Sequence, residues 1–324
     1  MKILVIQTAF IGDVILATSL LESIHLANPT ANIHVVLRKG NEAVLDAHPF
    51  VKHVHIWDKK NSKYANLFKL AANIRREKFD MVINLQRYGS TGFLTLRSGA
   101  KIRAGFRGGL FSPFYTHKTY HDTKSGLHET TRNYLLATVA DVKIQEQKKP
   151  KLYPTAANFE KVKGLVSGEY VVMAPASVWF TKQLPESKWV ELIQKKSKDL
   201  TICLVGAETD HDLLDRIKQV SGHLGVKNFA GKLNLLESAA LIGGAVHCYV
   251  NDSAPLHLAS AMNAPVTAFF CSTIPDFGFG PRSDKSRVVQ VSEVLACRPC
   301  GLHGRKACPK GHFRCGNDIS VDHV

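Results

Sequence analysis

No run of apolar residues in this chain approaches the roughly 20 needed to cross a bilayer, so a membrane-spanning helix is not expected. The loop after the first apolar segment lacks a GxGxxG fingerprint, which argues against a Rossmann dehydrogenase. Internal repeats, low-complexity tracts and recognisable nucleic-acid modules are absent too. Acidic residues are scarce: 27 Asp and Glu stand against 42 Lys and Arg, a formal net charge of +15. The imbalance is uneven. Residues 1–150 hold 22 basic against 11 acidic residues, the remainder 20 against 16. A basic first half suits nucleic acid, an anionic membrane face or a phosphorylated glycolipid. Without a nucleic-acid module the last two are the better partners, and a plain basic surface is the bland alternative.

The first residues, MKILVIQTAFIGDVILATSL, place Lys2 before apolar residues as a signal peptide does. Gln7, Gly12 and Asp13 break that run, and strand-then-helix periodicity continues beyond it. A cytoplasmic location is therefore expected, and a disulfide framework is not.

What is present is alternation. At 324 residues with 45% hydrophobic content, the chain exceeds the size of one core, so two domains are expected. Strand patterns at 2–7, 33–37, 54–57 and 81–85 alternate with helical ones at 13–27, 42–47 and 65–77. The 13–27 helix is expected to be amphipathic, and 65–77 carries Leu67, Leu70, Ala71 and Ile74 on one stripe. Residues 87–121 mix glycines and Pro113 with Arg87, Arg97, Lys101, Arg103, Arg107 and Lys118, and a helix follows at 128–140. The polar, proline-bounded stretch 144–154 reads as an interdomain linker, which divides the chain into 1–150 and 151–324. Alternation then restarts through 170–174, 185–195, 201–205, 210–221, 226–230 and 234–243. The fold class is α/β: two doubly wound Rossmann-like domains with a cleft between them.

The run from Tyr249 to Ala261, YVNDSAPLHLASA, is the most telling. A buried strand ends in the cap-type residues Asn251, Asp252 and Ser253, and Pro255 suits the first turn of the helix that follows. Free backbone N–H groups and a positive dipole end then lie at the carboxyl edge of a parallel sheet, where phosphates bind. An anionic, nucleotide-like ligand is expected. After the strand at 170–174, Ser177 and Thr181 can donate to phosphate oxygens, and Lys182 can place a charge on them. A solvated loop lysine is the plain alternative, as a satisfied buried histidine is for His257. Asp13 follows Gly12 at a helix start. It reads either as an N-cap carboxylate or as a general base at the sheet edge.

These segments resemble a known family. MKILVIQTAFIGDVILATSLL, the Lys182-x-x-Pro185 loop, the run from Ala230 to Val266 and Ile274-Pro275-Asp276-Phe277 are similar in order and spacing to glycosyltransferase family 9, the ADP-heptose–lipopolysaccharide heptosyltransferases. The pattern is nearest to heptosyltransferase II and spans most of residues 1–290. The resemblance implies a GT-B fold and inverting transfer of heptose from ADP-heptose to the inner core of lipopolysaccharide, on lipid A–Kdo or heptose acceptors. It implies Asp13 as the base and Lys182 on the diphosphate, with Ser177 and Thr181 nearby. Asp252 would hold sugar or ribose hydroxyls, Ser253 would cap the phosphates, and His257 would lie near the donor. Glu208 or Asp210 would meet the ribose or adenine. Arg87, Arg103 and Arg107 would grip an anionic glycolipid acceptor at the cytoplasmic face of the inner membrane. No cofactor is required for this catalysis.

Three departures keep a relative with another nucleotide-sugar or acceptor open. Ala254-Pro255 and Cys271-Ser272 stand where the family has glycine and Gly-Pro, and Trp179, Phe180 and Leu184 make the donor loop unusually apolar.

Cys203, Cys248 and Cys271 lie in apolar runs and read as core residues. Cys297, Cys300, Cys308 and Cys315 sit in a Gly- and Pro-rich tail with too few apolar residues to build a core. A structural zinc held by four thiolates is the simplest device for such a segment, with His303 or His312 able to replace one thiolate. An iron–sulfur cluster, disulfides and free thiols are the alternatives. The competing class is a non-catalytic nucleic-acid-binding protein with these cysteines as a zinc ribbon.

Overall fold

The computed structural model describes residues 1–140, 142–322 and 324. The chain divides into two compact units. The first comprises residues 1–123 and 127–153, the second 124–126 and 154–324. Among the described residues no helix is long and apolar enough to cross a membrane.

The first unit runs β1 (Lys2–Ile6), α1 (Ile11–Ala27), β2 (Asn32–Arg38), β3 (Val51–Trp57), α2 (Lys63–Arg76), β4 (Met81–Asn84), α3 (Gly89–Arg97), β5 (Ile102–Phe106), β6 (His117–Thr119) and α4 (Glu129–Val139). All strand pairs are parallel, in the order β3-β2-β1-β4-β5-β6. Chain order reverses beside β1, so the crevice of this sheet opens at the loops after β1 and β4. The stripe of Leu67, Leu70, Ala71 and Ile74 does face the core, packing on Leu4, Ile6, Val36 and Val82. Helix α1 departs from the amphipathic reading. Val14 to Leu21 are all buried, because α4 and the segment after it cover the side a surface helix would leave wet.

That segment differs from a free linker. Lys148 N–H donates to Ser23 Oγ (2.9 Å), Lys151 N–H to Thr18 Oγ1 (2.9 Å) and Tyr153 Oη to Glu22 (2.8 Å). Hydroxyls on α1 thus satisfy two backbone N–H groups of this irregular stretch.

The second unit runs α5 (Ala156–Leu165), β7 (Tyr170–Ala174), α6 (Glu186–Gln194), β8 (Thr201–Leu204), α7 (His211–Ser221), β9 (Val226–Asn228), α8 (Leu235–Gly243), β10 (His247–Asn251), α9 (Ala254–Ala261), β11 (Val266–Phe270), β12 (Ser286–Gln290) and α10 (Arg314–Asn317). Its parallel sheet has the order β12-β11-β10-β7-β8-β9, the same winding as the first. The reversal lies between β7 and β10. Helix α8 begins with a capping box between Asn234 and Glu237.

Candidate active site

In the second unit the loops after β7 and β10 meet at the reversal. Asn251, fully buried at the end of β10, joins them: its Oδ1 accepts from Leu184 N–H (2.9 Å), and its Nδ2 donates to Pro175 O (2.6 Å). Lys182 ends a short 3-10 turn, Phe180–Lys182, and its Nζ lies 2.8 Å from Asp252 Oδ2. Thr273 donates to the same carboxylate oxygen at 2.6 Å. Asp252 is buried and Lys182 mostly so, which shields the pair from water. The constellation holds one cation, Lys182, at the sheet edge. Beside it begins α9, whose N-cap Ser253 makes no side-chain cap bond, so the first-turn N–H groups lack a capping side chain.

His257 is buried one turn into α9, with Nδ1 lacking a partner. Burial pushes its imidazole down to about 4, with Lys182 acting the same way and Asp252 opposing. At neutral pH it is an uncharged ring at the back of the site. Ser177 is half-buried at the loop's start, and its carbonyl accepts from Gln183 (2.6 Å). Thr181 is not open to a ligand. It is 1% exposed, and its hydroxyl is bonded by Ser272 (2.9 Å) and by Arg305 N–H (2.8 Å). The two acids after β8 separate clearly. Asp210 accepts from Ala207 N–H (2.8 Å), while Glu208 is exposed.

In the first unit the loop after β1 is held by buried Thr8. It bonds Gln86 through N–H and hydroxyl (3.1 and 2.6 Å), and it receives Lys59 Nζ at its carbonyl (2.7 Å). Asp13 follows in the first turn of α1. Burial pushes its carboxyl up to about 6, and neighbouring Glu129 adds to this; the N–H groups of Phe10 and Asp13 and the Arg38 charge oppose. Glu129 itself stays below its usual range despite burial, because His121 and Arg132 bond it.

The three candidate arginines part company. Arg87 and Arg107 follow β4 and β5, at the carboxyl edge, and are exposed. Arg103 lies at the opposite end of β5 and donates to Ala100 O (2.6 Å) and Phe114 O (3.3 Å). It braces a loop. At the carboxyl edge a cavity of about 560 Å³ is lined by Trp57, Lys59, Lys63, Tyr64, Tyr88 and Phe111, among others. The linear pattern did not mark it, since its aromatics come from four separate segments. Lys59 there lies 4.6 Å from the Trp57 ring; burial first, then Arg38 and Lys63, pushes its ammonium down to about 8.

The zinc expected at the cysteine-rich tail is not shown. Among the described residues no group of three or more His, Cys, Asp or Glu side chains is arranged to hold a metal ion, and all seven cysteines are free. The tail needs no private core. Phe313, Cys315, Ile319 and Val321 are buried in the core of the second unit, and Cys297 and Cys308 pack against it. Side chains that look too few in isolation suffice when they complete a core already present.

Two doubly wound sheets, each with loops converging at its reversal, are the architecture of a GT-B glycosyltransferase. The fold matches E. coli ADP-heptose LPS heptosyltransferase II, with TM-score 0.77, 22% identity and coverage of 93% of this chain and 96% of that one. It also matches E. coli heptosyltransferase WaaC with ADP, with TM-score 0.73, 22% identity and coverage of 89% and 92%. In sequence, the lipooligosaccharide heptosyltransferase 2 of Haemophilus influenzae is 24% identical over 318 residues, 90% of this chain and 89% of that protein. Residues 67–306 match glycosyltransferase family 9 (heptosyltransferase), and the chain belongs to that family. It is an enzyme, which sets aside the reading as a non-catalytic nucleic-acid-binding protein.

Proposed function

We propose that this heptosyltransferase moves heptose from ADP-heptose to the inner core of lipopolysaccharide with inversion at the anomeric carbon. The observation that carries the reading is the Lys182–Asp252–Thr273 constellation beside the start of α9. An acceptor hydroxyl attacks the anomeric carbon from the face opposite the diphosphate. The new C–O bond forms as the bond to the β-phosphate oxygen breaks, and the hydroxyl proton passes to Asp13. ADP leaves with the displaced electron pair. Negative charge grows on the leaving group, so Lys182 and the α9 N–H groups bind the transition state more tightly than the ground state. A carboxyl pushed up to about 6 is still ionised at neutral pH and is a stronger base than an ordinary aspartate. General-base help of this kind is worth roughly 100–10,000-fold.

Glu208 is the acid free to meet the ribose, and Ser177 and Ser253 line the approach to the phosphates. Thr181 acts by holding the loop. On the acceptor side, Arg87, Arg107 and the lysines of the aromatic cavity suit an anionic glycolipid, and the basic first unit suits the negatively charged cytoplasmic leaflet. The chain's likeness to lipooligosaccharide and lipopolysaccharide heptosyltransferases supports lipopolysaccharide as the acceptor class, and the ADP in the WaaC structure supports the donor nucleotide.

Incubation with ADP-heptose and truncated lipid A–Kdo acceptors, read by mass spectrometry, tests this. The native chain should add one heptose mass, and Asp13→Ala should bind ADP yet transfer nothing. Full transfer by Asp13→Ala would remove it from the base role.

A further inference from the structure

We propose that the tail segment from Cys297 to Arg305 forms part of the donor site, with Gly304 positioning Lys182 and Arg298 positioning Asp252, the carboxylate that holds the lysine. This rests on the reading that Lys182 meets the diphosphate.

Three contacts lead to it. Gly304 has φ +75°, and a Cβ there would stand 2.8 Å from Lys182 Cγ and 3.2 Å from both Lys182 Cδ and Thr181 Oγ1. The stem of the lysine therefore lies on the bare Cα of a glycine. Any side chain at 304 would be strained in that backbone and would also displace the stem. Next, Thr181 N–H donates to Arg305 O (3.1 Å) and Arg305 N–H returns to Thr181 Oγ1 (2.8 Å). The residue before Lys182 is thus clamped by the residue after Gly304. Finally, Arg298 donates to the carbonyls of Cys271 (2.6 Å), Phe270 (3.1 Å) and Thr273 (2.7 Å). It fixes the turn that carries Thr273, the donor to Asp252. Cys300 N–H adds a bond to Ser272 O (3.0 Å), and the exposed Phe180 ring lies 5.1 Å from Phe313.

Both arms of the constellation, Lys182 through Gly304–Arg305 and Asp252 through Arg298, are thus set by one segment. The same contacts account for two departures from the family pattern. Ser272 bonds Thr181, and the apolar Phe180 has the tail to pack on. A segment that only finished the fold would have no need to seat the lysine stem.

The test is a binding cycle on the full chain, with ADP as the probe and titration calorimetry as the readout. The proteins are wild type, Gly304→Ala, Lys182→Ala and the double variant. Gly304→Ala is expected to weaken ADP about tenfold, or about 1.4 kcal/mol. In the Lys182→Ala background the same change is expected to cost nothing further, because the displaced stem is gone. Equal weakening in both backgrounds, or ADP bound normally by Gly304→Ala, overturns the inference. Should Gly304→Ala fail to fold, Arg298→Lys serves: it keeps a cation but loses the fork over three carbonyls. It too must weaken ADP in the native background and be silent without Lys182. If Lys182→Ala binds ADP as wild type does, the reading of Lys182 fails, and the positioning role falls with it. If Lys182→Ala is weak and Gly304→Ala normal, only the positioning role falls.

Discussion

Replacing Asp13 with asparagine separates catalysis from stability in a single variant. Asparagine keeps the size and can still accept the N–H bonds, but it cannot take a proton. In the folded protein the carboxyl is pushed from 3.8 to about 6, chiefly by burial and then by Glu129. The folded state therefore binds a proton more readily than the unfolded chain does. Linkage then makes native stability fall as pH rises through that window, from about 4 to about 6, and stay low above it. The gap corresponds to roughly 3 kcal/mol as an upper bound. Asp13 is only partly buried at its surface, so solvent screening brings the expected gain to about 1–2 kcal/mol. Asp13→Asn should thus be more stable than wild type at pH 7.5 and equal to it at pH 4. For a unit of about 150 residues, that gain is worth roughly 2–8 °C in melting temperature. Melts of both proteins across pH 4–8, alongside the mass-spectrometric transfer assay, read the two effects together. Transfer should fall by at least about 100-fold, and wild-type transfer should lose a limb as pH drops through about 6. A stability difference independent of pH would refute the burial argument, and retained transfer would refute the base.

Other perturbations follow from the same contacts. Asn251→Ala strands the N–H of Leu184 and the Pro175 carbonyl in a dry interior and should cost about 2–4 kcal/mol in a denaturant titration. A loss under about 0.5 kcal/mol would mean that water replaces it. Arg107→Ala should raise the acceptor KM, whereas Arg103→Ala, which braces Ala100 and Phe114, should lower stability and leave that KM alone. The reverse pattern would put the acceptor at the other sheet edge. Lys59 should lose its proton as pH rises through about 8, so acceptor affinity should decline there in wild type but not in Lys59→Gln. Dialysis against a chelator tests the structural zinc expected at Cys297, Cys300, Cys308 and Cys315: a lowered melting temperature with stoichiometric zinc release supports it, and an unchanged melting temperature with no zinc released removes it.

Strand–helix alternation, the two-part division and the turn from the strand ending at Asn251 into the helix that follows were all legible in the linear order. They arise from periodicity, caps and glycines, which act over a few residues. The Lys182 loop and the Asp252–Ser253 turn were legible for the same reason. Each follows one strand directly, so its place at a sheet edge is set by that strand's direction alone. Tertiary structure decided the rest, because it depended on which ends and faces meet. Arg103 and Arg107 are four residues apart, yet lie at opposite ends of β5. Asp210 and Glu208 differ only in which one a backbone N–H claims. The tail looked too poor in apolar side chains to fold unaided, and no local pattern could reveal that its Phe313 and Ile319 enter another segment's core or that Gly304 lies under a lysine 122 positions earlier. Burial is a property of the assembled unit, so the chain's order could nominate residues for the site but could not show which of them the packing leaves free.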